Sequence, residues 1–263
     1  MSKINPWTSL RQGEVEPGLG LIRRNYEHDP TPSHIMELGV AFLWLEDYKA
    51  AAEHFEQAIK KDRFTSSIYF GMAGAAYWCV EQPGVALRTW NSGIDAHFTD
   101  GGGGVHLPLL MLVASILRLR AFTGEAESML KERIEDPQRK GWLKNWPGPL
   151  AKFALGLIDE KALLESCLTK QEPQTLHRRW LADFYIGMIN YGRGRLNEAG
   201  LREVMRKTAN TSAAERSDER DFLSLLWNEE FFIARHEASL DVVEWSMLLQ
   251  GTAPPPWERR TGG

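Results

Sequence analysis

A chain of 263 residues with 43% hydrophobic and 25% charged side chains can bury a sizeable core in one or two domains. Its formal net charge of −4 lacks the basic excess of a nucleic-acid binder, and its longest apolar run, Leu107 to Leu117, is too short to cross a bilayer. Cys79 and Cys167 have no metal-ligand spacing and read as buried thiols of a reducing compartment. Met1 to Leu10 carries no apolar leader, so the expected location is the cytoplasm, without membrane insertion.

No long strand-like alternation appears, and the predicted elements are helices. Gly18 to Tyr26 reads as the second helix of a degenerate pair that ends on Asp29-Pro30. From Ser33 the pattern predicts two amphipathic helices, with Glu46 and Asp47 at the turn between them. Gly39 and Ala51 are small where the helices approach, and Phe42, Tyr48 and Phe55 fill the space between them. The same spacing recurs 35 residues later at Gly74, Tyr77, Ala86, Trp90 and Gly93. The extra residue over a 34-residue period belongs in the Gln82-Pro83-Gly84 turn or in the turn between repeats.

Further along, Asp100 to Gly104 predicts a flexible loop, because four glycines are costly to order in a helix. Residues 107–137 predict a third helix pair turning at Thr123-Gly124-Glu125-Ala126. Shorter or weaker pairs follow at about 149–170 and 177–209, after an aromatic, Pro-rich turn from Trp142 to Pro149. Thr211 to Asp221 is polar and reads as a loop. Residues 222–249 read as one or two helices capping the array, and 251–263 as a flexible Pro/Gly tail.

The spacing of residues 33–63 and 67–98 resembles the tetratricopeptide-repeat (TPR) family, with Arg63 standing where the family's closing Pro is usual. The resemblance implies an all-α fold, a right-handed TPR-like superhelix of helical hairpins over residues 1–250, with degenerate C-terminal repeats and a capping helix. More loosely, the pattern resembles bacterial NlpI-type TPR lipoproteins, which act as protein-binding adaptors; the lipoprotein signal is not matched here.

Catalytic patterns fail on inspection. Val105-His106 follows Gly104 where a phosphate loop needs Lys-Ser/Thr, no His has Glu three residues before it, and Leu240 ends a zinc-protease-like start at His236-Glu237. His97, Asp100 and His106 flank the glycine loop but match no ligand spacing. No catalysis, cofactor or metal is therefore expected. In TPRs the first helix of each pair lines a concave groove, and register assigns Met36, Val40, Leu43, Trp44, Ile68, Gly71, Ala75, Trp78 and Cys79 to it. That lining is apolar and aromatic, which predicts a hydrophobic peptide or helix as ligand, unless the chain covers the groove itself. In that case the partner surface moves to Trp142, Trp146, Arg178 and Arg179. The expected function is a protein-protein adaptor or assembly factor; the alternative is an inhibitor or immunity-type protein that blocks one enzyme. The sequence names neither the partner nor the oligomeric state.

Overall fold

The computed structural model describes residues 5–62, 65–210 and 226–249. Arg63, the stretch 211–221, the start of the expected cap at 222–225 and the tail 251–263 lie outside the described residues. Among the described residues the chain is all-helical, with fourteen α-helices, one 3-10 turn and no strand.

Successive helices pack pairwise as hairpins. They are α1 (Pro6–Arg11) with α2 (Val15–His28), α3 (Pro32–Trp44) with α4 (Tyr48–Lys61), and α5 (Ser67–Cys79) with α6 (Pro83–Ser92). Next come α7 (His106–Leu117) with α8 (Thr123–Glu135), the short α9 (Gly148–Ala154) with α10 (Glu160–Ser166), and α11 (Glu172–Gly192) with α12 (Glu198–Ala209). Each of the first three hairpins also packs on the next, through α2 on α3, α4 on α5 and α6 on α7.

The two clear repeats share their contacts as well as their spacing. A Cβ on Gly39 would sit 2.6 Å from Phe55 Cε1, and a Cβ on Gly74 would collide with the Trp90 indole. In each hairpin the bare glycine lets the aromatic of the second helix close onto the first.

The turns repeat too. Glu46 (φ 64°) and Glu81 (φ 62°) are left-handed, as are Gly156 (φ 73°) and Gly194 (φ 69°). Each is followed by a residue whose N–H reaches back five positions: Asp47 to Phe42, Gln82 to Tyr77, Leu157 to Lys152 and Arg195 to Asn190. This is the Schellman closure of a helix C-terminus. Because Glu46 and Glu81 hold the same position in identical turns, the extra residue of the period lies between the repeats and not in the Gln82-Pro83-Gly84 turn.

Two expectations are corrected. Thr123 and Gly124 do not form a turn but open α8, after a 3-10 turn at Arg120–Phe122. The α7 terminus instead keeps Arg118 at φ −138° with its side chain drawn inward, 2.8 Å from Glu81. The glycine run is also not a loose loop. Asp100 Oδ1 accepts from the N–H of Gly102 (2.8 Å) and Gly104 (3.2 Å), while Oδ2 accepts from the His106 N–H (2.9 Å). Arg139 donates to the Gly103 carbonyl at 2.6 Å, and Gly102 lies so close to Pro147 and Gly148 that no Cβ fits. One aspartate thus replaces the missing side chains as the organiser of the turn.

After α12 come α13 (Glu229–Ser239) and α14 (Val242–Leu249). Helix α13 does not merely cap the end of the array as expected; it lies between α12 and α5. The buried apolar side chains form two clusters, and α13 contributes to both: Phe231 and Phe232 to the N-terminal one, Ile233 and Ala234 to the larger one. These four consecutive residues are apolar because this turn of the helix is buried on every side.

Candidate functional site

The structure places the expected groove residues in the interior. Met36, Val40, Leu43, Ala75 and Trp78 are buried, and Trp44 and Ile68 partly so. The cover is α13. Trp44 stacks on Phe231 with ring centroids 6.1 Å apart, and Cys79 Sγ lies 3.7 Å from the Phe232 carbonyl. Of the two alternatives the sequence left open, the groove is the filled one: the chain's own helix occupies the surface that register offered to a ligand.

Charged and polar contacts accompany the apolar ones in this docking. Five polar side chains of α13 reach the array. Arg235 pairs with Glu46 at 2.7 Å and lies over the Trp44 ring at 4.8 Å. His236 Nε2 is 2.7 Å from Glu81 Oε1. Glu237 accepts from Trp78 Nε1 at 2.8 Å and from Arg118, whose guanidinium also covers the Trp78 ring at 4.5 Å. Burial alone would raise the Glu81 pKa; the hydrogen bond from His236 and the Arg118 charge outweigh it and hold Glu81 down at about 2. An ionised Glu81 means that His236 Nε2 carries the proton between them.

The two turn glutamates explain each other. Gly is the usual residue at a left-handed turn position, as at Gly156 and Gly194, because a side chain there costs roughly 1 kcal/mol. The two turns that use Glu are the two that hold α13, through Arg235 and through His236.

The remaining polar side chains of α13, Glu229 and Glu230, open the helix and are 1% and 2% exposed. They meet His106 at the start of α7, with Nε2 at 3.4 Å from Glu229 Oε2 and 3.2 Å from Glu230 Oε1. Tyr185 of α11 donates to Glu230 Oε1 at 2.6 Å. Room for Glu229 comes from Gly71, where any Cβ would overlap the carboxylate. Burial alone would lower the His106 pKa, but the two carboxylates raise it to about 10; burial raises that of Glu229, and His106 lowers that of Glu230 against burial. Of the residues around the glycine loop, only His106 joins this cluster directly. Asp100 is committed to the backbone, and His97 is exposed against Phe98. Glu229 and Glu230 carried no local signal, since two acids at the start of a helix read as ordinary N-terminal residues.

The second expected patch is partly assembled. Arg178 lies over the Trp146 ring at 5.6 Å. Trp142 is 57% exposed, with exposed Lys140 and Lys144 beside it in the chain. Arg179 is exposed and pairs with Asp183 at 3.4 Å. No family model matches the chain, and no curated protein matches its sequence.

Proposed function

We propose that the protein is a non-catalytic TPR-like interaction protein that binds an acidic protein surface through the patch of Trp142, Trp146, Arg178 and Arg179. The observation that carries the reading is the occupancy of the inner surface by α13, which leaves exposed Trp142 and Arg179 and half-buried Trp146 and Arg178 as the candidate residues outside it. Large aromatic side chains and arginine are the residue types that dominate interface energetics, and Arg178 over Trp146 already shows the cation–π geometry such anchors use. Lys140 and Lys144 add positive charge beside Trp142, which favours an acidic partner and a salt-sensitive association.

The test is affinity capture from native lysate with mass spectrometry, comparing wild type with Trp142→Ala/Arg179→Ala. Both positions are exposed, so the double variant is expected to fold as wild type does. A protein captured by wild type and lost by the variant supports the patch. The same protein retained by the variant at equal yield overturns it.

A further inference from the structure

We propose that His106, Glu229 and Glu230 form a binding site for a zinc-class divalent cation. Their ligand atoms all lie within 4.8 Å of one another, and they come from the first turns of two helices far apart in the chain. One imidazole and two carboxylates are a ligand set that zinc accepts, whereas calcium and magnesium prefer oxygen alone.

Three observations separate a cation site from a plain ion cluster. The first is distance. His106 Nε2 stands 3.4 and 3.2 Å from its two carboxylates, longer than the roughly 2.7–2.9 Å of a charge-assisted N–H···O bond. Ligands about 2.0–2.2 Å from a tetrahedral ion are about 3.3–3.6 Å from one another, close to the spacing here. The second is hydrogen bonding. Both oxygens of Glu229, one of Glu230 and His106 Nε2 are buried without a hydrogen-bond partner among the described residues. A buried carboxylate left in that state costs several kcal/mol unless a cation meets it.

The third is charge. Glu229 and Glu230 cannot both ionise against one imidazolium without leaving one negative unit in excess, whereas a divalent cation with a neutral imidazole balances both carboxylates. The second shell is in place as well, since the Tyr185 hydroxyl orients Glu230. The His106 side chain keeps 26% of its area exposed, while its Nε2 faces the two buried carboxylates. Binding here would tie the start of α13 to α7 and so close the array around its inserted helix.

The experiment uses the full chain, stripped with a chelator and dialysed. Zinc is added in calorimetry, and the melting temperature is followed with and without zinc. Wild type and His97→Ala, which removes an exposed histidine outside the cluster, are expected to take up one equivalent and to melt higher with zinc. Glu229→Gln, nearly isosteric, is expected to bind at least tenfold more weakly. Should Glu229→Gln fail to fold, the cobalt-loaded wild type decides, by the intense visible absorption of tetrahedral Co²⁺. A wild type without saturable one-equivalent binding, a Glu229→Gln variant that binds as wild type does, or cobalt without tetrahedral bands would each overturn the site.

Discussion

Gly71 and Glu229 occupy one space: the carboxylate of Glu229 fills the position where any other residue at 71 would place its Cβ. Helix α5 thus carries a notch, and the first residue of α13 seats in it. Gly71→Ala forces the carboxylate out of a buried site and is expected to cost about 1–3 kcal/mol, as overpacking does. Gly20→Ala in α2 is the control. Nothing lies within 4 Å of a Cβ there, so the helix-forming gain of about 0.5–1 kcal/mol should appear as added stability. Denaturant unfolding of the two variants should give opposite signs.

The glutamates at the two left-handed turns should separate strain from docking. Glu46→Gly relieves about 1 kcal/mol of backbone strain and loses a pair whose carboxylate side chain is 55% exposed, worth about 0–1 kcal/mol, so the net change stays within about 1 kcal/mol. Glu81→Gly relieves the same strain but leaves Arg118, 5% exposed, short of a partner. Breaking a buried pair from one side costs about 3–5 kcal/mol, and Glu81→Gly is expected to be clearly the less stable variant by chemical denaturation.

Acid should loosen the same seat. Glu81 has its pKa held at about 2 in the folded chain against an ordinary value of 4.5. A carboxylate depressed on folding contributes stability above its unfolded pKa and loses it as the pH falls toward its folded one. The loss therefore falls between about pH 4.5 and pH 2, and a shift of this size corresponds to about 3 kcal/mol at most. Wild type should lose more stability across that window than Glu81→Gln, in denaturant melts at each pH. Equal slopes would show that Glu81 is not held by Arg118 and His236.

The two clear hairpins were legible because helical packing is local. Gly39 with Phe55 and Gly74 with Trp90 lie sixteen residues apart in sequence, one helix turn-and-return, and small-to-aromatic spacing of that kind survives in the sequence as a period. What was not legible is what spans the chain. Trp78 and Glu237 are 159 positions apart, and nothing local to either announces the other. Phe231 to Ala234 reads as an apolar cap by composition alone; only packing shows that it bridges two core clusters. The glycine run misled for a related reason, since Asp100 satisfies the backbone of residues that composition alone leaves loose.

Whether α13 truly fills the array is tested most directly by amide hydrogen exchange of the full chain, read by mass spectrometry. Peptides from 229–239 should be protected to the level of α5, the helix they cover, because opening either exposes the shared core. Rapid exchange throughout 229–239 while α5 stays protected would show a helix that does not hold the inner surface, and would contradict the account.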